Sequence, residues 1–331
     1  MILAALSLIA TGCNKHHNPV DEPPVKTLSI IGAPESAVTV GEKFSLAVET
    51  SSDNVDVQTV EWSSSDPTVA KVNDAGRVLA TGKGECQILA SVGPETDTVS
   101  ICVNDRDPAN DEMGHVGDSK ILRGQNNQSS RFSISDTPLN GYFWCQDGNN
   151  SVTYYDNGTF RASWSGTSNF CTGIGYYYGV SGVRGDVQYD CYFRHSKQGS
   201  GGGYNYIGIH GWTVDPLVEF YIVDDWYNKP GANLLGQKRG ELVLDGETYE
   251  IYMNTRRQQP SILGTQTFPQ YFSVRRSARQ SGHIDVSAHF KKFQELGMKL
   301  GKFYELMYYV EVGGGSGAVD CTYLFMSDGK I

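Results

Sequence analysis

Residues 216–226 read Pro-Leu-Val-Glu-Phe-Tyr-Ile-Val-Asp-Asp-Trp, and this stretch decides the fold of most of the chain. Its β-branched and aromatic side chains predict a strand, because such side chains pack well on a pleated sheet. Successive side chains of a strand point to opposite faces, so Val218 and Ile222 face one side while Glu219 and Tyr221 face the other. A glutamate and a tyrosine on one face of a strand whose other face is apolar predict the floor of a solvent-filled cleft.

A second carboxyl group, that of Glu311, lies in another strand-like run, which continues into the glycines of residues 313–315. Two carboxyl groups about 5–5.5 Å apart can cleave a glycosidic bond with retention, one as nucleophile and the other as acid and then base. Neighbouring strands can be distant in sequence, so the separation of the two glutamates does not exclude this. We predict Glu219 as the nucleophile, kept ionised by a hydrogen bond from Tyr221. We predict Glu311 as the acid/base, protonated at rest.

The composition favours a turn-rich β protein with two domains. The chain has 331 residues, of which 38 are glycine and 19 tyrosine, and only 19% are charged. This length can form two separate cores, and the glycine and tyrosine content suits strands and turns better than helices. The net charge is −10, and no basic stripe is present, which argues against a nucleic-acid partner. A neutral polysaccharide is indifferent to that charge.

The first residues indicate export. Ala10-Thr11-Gly12-Cys13 follows an apolar stretch and resembles a bacterial lipoprotein cleavage site, and the apolar stretch is too short to span a bilayer. We predict a signal peptide over residues 1–12, lipid attachment at Cys13 and a proline-containing tether over residues 13–25. The protein is then exported, and is either anchored to the outer membrane by its lipid or secreted. The sequence leaves open which face of the membrane it occupies.

Cysteine usage predicts disulfides. Six cysteines remain beside Cys13, an even number that suits an oxidising compartment. Cys86 and Cys102 are equidistant from Pro94, so a hairpin turning there predicts a bridge between them. Four other cysteines allow three pairings, among which the sequence does not choose: Cys145, Cys171, Cys191 and Cys321. No pair shows the spacing of a zinc site, so no metal is expected.

Residues 26–104 predict a small β-sandwich, because short alternating strands are separated by turn residues. The segment of residues 60–72, followed by Gly76-Arg77-Val78, resembles the bacterial immunoglobulin-like domain of group 2. The resemblance implies a spacer whose Trp62 lies in the core, although a sugar-binding role stays open. Residues 105–118 are acidic and lack apolar periodicity, which indicates a linker.

Residues 119–331 predict one large β domain. Many strand candidates alternate with turns, and helical spacing occurs only in residues 286–300, where an apolar face ends at Gly301. The predicted fold is therefore all-β: an immunoglobulin-like β-sandwich followed by a two-sheet β-jelly roll with a single helix.

Several motifs, in order along the β domain, together resemble glycoside hydrolase family 11, the β-jelly-roll xylanases. Besides the segments around Glu219 and Glu311, the resemblance rests on Tyr142-Phe143-Trp144-x-x-Asp147-Gly148, Trp164-Ser165-x-x-x-Asn169-Phe170, Thr255-Arg256-x-x-x-Pro260-Ser261-Ile262, Gln270-Tyr271-x-Ser273-Val274-Arg275 and Gly297-Met298-x-Leu300-Gly301. It implies endo-hydrolysis of β-1,4-xylosidic linkages in xylan with net retention, without metal or cofactor. We expect a monomer.

The resemblance also implies substrate-binding residues. Trp144 would stack on a xylose ring, Asn169 would lie beside the acid/base, and Pro260 and Ile262 would form the tip of a thumb loop. The other expected cleft residues are Tyr206, His210, Tyr221, Arg256 and Gln270, with Tyr176 as a further candidate. The amide of Asn169, in place of a carboxyl group, predicts a pH optimum near neutrality.

Some residues depart from the pattern of the family. His210 stands where a tyrosine is usual and adds a group that titrates near neutral pH. Val312 replaces a glycine, Phe272 replaces a tryptophan, and the glycines of residues 313–315 replace an aromatic and polar run, which predicts a looser cleft wall. These departures keep open a non-catalytic polysaccharide-binding protein. A β-1,4-glucan hydrolase also stays open, since related jelly rolls cleave cellulose.

Overall fold

The computed structural model describes residues 27–51, 60–181 and 188–331. The predicted signal peptide, tether and lipid-attachment residue lie outside these ranges. Within the described ranges, no helix has the length and apolar character needed to cross a membrane.

The first domain is a β-sandwich, as predicted. Its strands are β1 (Leu28–Ile31), β2 (Val38–Thr39), β3 (Lys43–Ser45), β4 (Ala47–Thr50), β5 (Glu61–Ser64), β6 (Ala70–Val72), β7 (Arg77–Ala80), β8 (Gly84–Val92) and β9 (Glu95–Asn104). In the described residues they form a four-stranded sheet in the order β2-β9-β8-β5, a three-stranded sheet β3-β7-β6 and the pair β1-β4. Trp62 packs against the apolar core between them, where the sequence places it.

The predicted bridge between Cys86 and Cys102 is wrong. The hairpin of β8 and β9 pairs Val92 with Glu95, so its register places Cys86 opposite Ile101 instead of Cys102. A shift of one residue turns a side chain to the other face of a sheet, and accordingly Cys86 is buried while Cys102 is exposed. The other four cysteines are also free thiols, all of them buried.

The second domain is a two-sheet jelly roll, as predicted. Its strands are β10 (Ser119–Gly124), β11 (Gln128–Ser133), β12 (Asn140–Cys145), β13 (Asn149–Tyr155), β14 (Phe160–Ser165), β15 (Phe170–Tyr177), β16 (Asp190–Gly199), β17 (Asn205–Val214), β18 (Val218–Asp225), β19 (Gln237–Leu244), β20 (Glu247–Ser261), β21 (Gly264–Arg275), β22 (Ser281–Asp285), β23 (Lys302–Val312) and β24 (Ser316–Ser327). Across the described ranges, six strands form an outer sheet, β10-β13-β14-β24-β16-β22. Nine form an inner sheet, β11-β12-β15-β23-β17-β18-β21-β20-β19.

Strand β18 lies near the middle of the inner sheet and is buried along its whole length. Val218, Phe220 and Ile222 pack into the core between the two sheets. Tyr221 belongs to a separate cluster on the other face of the sheet, and Glu219 shares that face. The predicted alternation is therefore confirmed, and it points Glu219 away from the core.

The predicted helix is present but shorter than expected. Helix α2 (Val286–Glu295) packs Phe290 and Phe293 against the core and is capped by Asp285. It ends before Gly301 because Gly297 adopts a left-handed conformation with φ +74. There the Met298 amide donates to the Phe293 carbonyl at 2.9 Å, a common helix ending. The sequence also missed a second, four-residue helix, α1 (Ala232–Leu235).

The segment joining the two domains is tied to both of them. Arg106 donates to the Val40 carbonyl of the first domain at 2.6 Å and to the Tyr323 hydroxyl of the second at 3.1 Å. Its guanidinium also lies 3.6 Å from the centre of the Phe325 ring. Tyr323 is buried in the same apolar cluster as Val40. Because this contact lies on the outer sheet, the first domain sits across both sheets from the face that carries Glu219.

We expect Arg106→Ala to destabilise the whole chain, because it removes contacts to both domains at once. In differential scanning calorimetry, the unfolding midpoint should fall by roughly 2–4 °C, or the single transition should split into two. Arg77→Ala, which removes an exposed arginine of β7, serves as the control. Equal midpoints for the two variants would contradict the structural role assigned to Arg106.

Candidate active site

Four adjacent strands of the inner sheet bring the predicted catalytic residues together. These strands are adjacent in the order β23-β17-β18-β21. Tyr206 of β17 pairs with Glu311 of β23. Glu219 of β18 pairs with Gln270 of β21. The two glutamates are far apart in sequence, yet only strand β17 separates the strands that carry them.

These side chains line a cleft of about 450 Å³ on the open face of the inner sheet. The residues predicted from sequence that line it are Trp144, Asn169, Tyr206, Glu219, Tyr221, Arg256, Pro260, Gln270 and Glu311. A larger cavity, of about 820 Å³, lies at the junction of the two domains, and none of the predicted site residues lines it. The cleft is therefore the candidate active site.

Glu219 is 8% exposed and accepts three hydrogen bonds. The donors are Tyr221 Oη at 2.9 Å and His210 Nε2 at 3.1 Å, both to Oε1, and Gln270 Nε2 at 2.5 Å to Oε2. Asn254 Nδ2 lies 3.5 Å from Gln270 Oε1, which orients the amide of Gln270 so that its nitrogen faces Glu219. Three donors around one carboxyl group stabilise its charged form, as a nucleophile requires.

Tyr221 links the two carboxyl groups. Its hydroxyl oxygen lies 2.9 Å from Glu219 Oε1 and 3.0 Å from Glu311 Oε2. These two carboxyl oxygens are therefore less than about 6 Å apart, which fits the ~5–5.5 Å of a retaining pair better than the ~6.5–9.5 Å of an inverting pair. The spacing favours a covalent intermediate over direct attack by water.

The proton shared through Tyr221 and the burial of Glu311 together favour Glu311 as the acid. A phenol carries one hydrogen, so Tyr221 can donate to only one of the two carboxyl groups at a time. If it donates to Glu219, then Glu311 must supply the proton for the other contact. Burial raises the pKa of Glu311 to about 7, the positive charge of His210 lowers this pKa and the negative charge of Glu219 raises it. Glu311 is therefore protonated up to about neutral pH, as the predicted acid/base role requires.

His210 of β17 shares the cleft-side face of the inner sheet with Glu219, but it does not line the cleft. It is 4% exposed, its ring stacks on Tyr309 at 4.3 Å, and its Nε2 contacts Glu219. Burial lowers the pKa of His210, but the hydrogen bond to Glu219 and the charges of Glu219 and Glu311 outweigh this effect and raise it. The histidine therefore helps to hold Glu219 in place through a hydrogen bond from the neighbouring strand.

Two other predicted residues also lie outside the cleft. Tyr176 is wrong as a cleft residue: it is 6% exposed, lies in the core between the sheets and donates to the Met326 carbonyl at 3.1 Å. Its place on β15 turns it to the opposite face from Cys171 and Tyr177. Ile262 is at the tip of the β20–β21 hairpin, as predicted, but only the neighbouring Pro260 lines the cleft.

Further cleft residues were missed, although some carry a signal. One of them is Phe272, a residue that departs from the family pattern and was not predicted to line the cleft. The others are Gln146, Tyr204, Leu234, Asn254, Gln259 and Phe268. Tyr204 precedes Tyr206 by two positions and Asn254 precedes Arg256 by two, which is the spacing of one strand face. Leu234 belongs to the short helix α1, which the sequence does not signal.

The glycine run after Glu311 is hydrogen-bonded to the neighbouring backbone. The Gly313 amide donates to the Tyr204 carbonyl at 2.8 Å, and the Gly313 carbonyl accepts from the Gly203 amide at 3.0 Å. These bonds join the glycine run to the segment before β17, and the predicted loosening of the cleft wall stays a prediction. Among the described residues, no group of three or more His, Cys, Asp or Glu side chains could hold a metal ion.

Two carboxyl groups joined through one tyrosine on the floor of an open cleft are the arrangement that retaining glycoside hydrolases use. The family model of glycosyl hydrolases family 11 matches residues 139–322, so the chain belongs to this family. The model of the bacterial Ig-like domain of group 2 matches residues 25–103.

Named relatives agree with this assignment. The chain is 59% identical over 223 residues to endo-1,4-beta-xylanase C of Fibrobacter succinogenes. This alignment covers 67% of the chain and 37% of the Fibrobacter protein. It is 38% identical over 197 residues to endo-1,4-beta-xylanase A of Bacillus pumilus, covering 59% of this chain and 82% of that protein. The crystal structure of wild-type ENZbleach xylanase superposes with a TM-score of 0.61 at 31% identity, covering 68% of this chain and 93% of that one. The chain thus spans little more than a third of the Fibrobacter relative.

Proposed function

We propose that the chain is an endo-1,4-β-xylanase that cleaves xylan with net retention of configuration. The observation that carries the proposal is the arrangement of Glu219, Tyr221 and Glu311 on the floor of an open cleft. An open cleft, unlike a closed pocket, accepts the middle of a polysaccharide chain. Relatives named as xylanases support xylan as the substrate.

The reaction follows in two displacements. A carboxylate oxygen of Glu219 attacks the anomeric carbon while Glu311 gives its proton to the glycosidic oxygen, so that the C–O bond breaks and the leaving chain departs. The ionised Glu311 then takes a proton from water, whose oxygen attacks the anomeric carbon and releases Glu219. Two inversions at one carbon give net retention.

We expect activity to fall as the pH rises through neutrality, because Glu311 must be protonated for the first displacement. Burial raises the pKa of Glu311 to about 7, so kcat/KM on xylan should decline about tenfold per pH unit well above pH 7. The measurement is the pH dependence of initial rates between pH 4 and 9. A bell-shaped profile with an acidic optimum would contradict both this pKa and the role predicted for Asn169.

We also propose that the protein acts as an exported monomer, anchored through a lipid on Cys13 or secreted. The support is the cleavage-site resemblance of residues 10–13. Expression of the wild type and of Cys13→Ala in bacteria, followed by fractionation and labelling with a radioactive fatty acid, tests the anchor. Label that persists in Cys13→Ala would contradict it.

The first experiment compares reducing-sugar release from unsubstituted xylan and from carboxymethyl-cellulose, and follows the anomeric configuration of the first products by NMR. We expect β-configured products from xylan and little release from the cellulose derivative. Preferential cleavage of the cellulose derivative would favour a β-1,4-glucan hydrolase. Xylan binding without cleavage would identify a binding protein.

A further inference from the structure

We propose that Tyr204 forms the sugar-binding wall of the cleft beside Glu311, in the space that a side chain of residue 313 would otherwise fill. This inference rests on the proposed xylanase function and assigns a contact for the part of the substrate that leaves first. It concerns a pair of residues, Tyr204 and Gly313, that face each other at the ends of β17 and β23.

The space above Gly313 is occupied by the ring of Tyr204. A Cβ atom at Gly313 would lie 2.1 Å from Cε1, 2.3 Å from Cδ1 and 2.5 Å from Cζ of that ring. The φ angle of Gly313 is not in the left-handed region, so the backbone itself would accept another residue. The glycine is therefore required by the ring above it, and the two positions are coupled.

The position of the ring suits contact with substrate. Tyr204 is half-buried, lines the cleft and stacks on Tyr206 with ring centres 6.1 Å apart and an angle of 29°. Along β17, Trp212 pairs with Glu219 of β18 and Tyr206 pairs with Glu311 of β23. Tyr204 is two residues further in the same direction, on the side of the acid and away from the nucleophile.

That side of the catalytic pair holds the leaving group. Glu311 gives its proton to the glycosidic oxygen, so the sugar that departs lies next to Glu311. The faces of sugar rings are apolar C–H surfaces, and an exposed aromatic ring packs well against them. Tyr204 therefore contacts a sugar of the leaving chain.

The test compares two substrates in Tyr204→Ala. Xylan places sugars on both sides of the cleaved bond, whereas an aryl β-xylobioside has no sugar on the leaving side. We expect kcat/KM on xylan to fall about tenfold relative to kcat/KM on the aryl xylobioside, mainly through KM. Tyr204→Phe should keep the ratio of the wild type, because the ring makes the contact.

Gly313→Ala provides a second route to the same result. Its methyl group should displace the ring of Tyr204 and cause the same selective loss, and the double variant should lose no more than either single variant. Tyr155→Ala, a half-buried tyrosine on the outer sheet, controls for the loss of a tyrosine elsewhere.

The outcomes separate this inference from the proposed function. An equal loss on both substrates, or no loss on xylan, would overturn the role of Tyr204 while leaving the xylanase assignment intact. Additive losses in the double variant would overturn the coupling to Gly313. A wild type without activity on either substrate would instead remove the proposed function itself.

Discussion

Glu219→Gln is expected to lower kcat on xylan by roughly 10⁴-fold or more, since the loss of a nucleophile costs this much in other hydrolases. The amide has nearly the same shape as the carboxylate, but it cannot form the covalent ester. It also meets the three donors that now surround Glu219, from Tyr221, His210 and Gln270, with only one acceptor oxygen. Initial rates of reducing-sugar release give the measurement, and circular dichroism confirms the fold.

A matched control and a rescue sharpen this result. Glu250→Gln changes a partly buried glutamate of β20 that is paired with Lys238 outside the cleft, and it should keep the rate of the wild type. Azide added to Glu219→Ala should attack an activated aryl xyloside directly and give an azide of inverted configuration. Residual activity above a few per cent in Glu219→Gln, or an azide product of retained configuration, would show that Glu219 is not the nucleophile.

Glu311→Ala is the variant with the second-largest expected effect. Removal of a general acid costs about 10²–10⁴-fold, and we expect a loss of this size on xylan, whose leaving sugar needs a proton. An aryl xyloside with a good leaving group needs no proton, so bond cleavage in that substrate should lose much less. Azide should rescue the second displacement and give a product of retained configuration, the opposite of the result with Glu219→Ala.

The acid also leaves a signature in stability. The pKa of Glu311 is raised in the folded chain, so folding favours its protonated form, and stability is lost as the pH rises from the unfolded pKa through the folded pKa of about 7. Glu311→Gln keeps a neutral side chain at all pH values. Its unfolding midpoint should equal that of the wild type near pH 4 and exceed it near pH 8. A midpoint that falls below the wild type at pH 8 would contradict the raised pKa.

Much of the candidate site was predictable because strand periodicity is local. The alternation along residues 218–223 is set by the backbone of a single strand, so Glu219 and Tyr221 could be assigned to one face before any partner strand was known. The same argument extends to Tyr204 and Asn254, which share a face with the predicted Tyr206 and Arg256. The errors arose where the face depended on register, as with Cys86 and Tyr176.

The sequence by itself determined the all-β class, the two domains, the helix near residue 290 and the pair of glutamates, because each depends on residue type and local period. Only the tertiary structure decided which strands are neighbours. That choice brought Glu311 to Tyr221, turned Tyr176 into the core and placed the ring of Tyr204 over Gly313. The physical reason is that strand pairing and register are set by packing between segments distant in sequence, where a shift of one residue exchanges the two faces of a sheet.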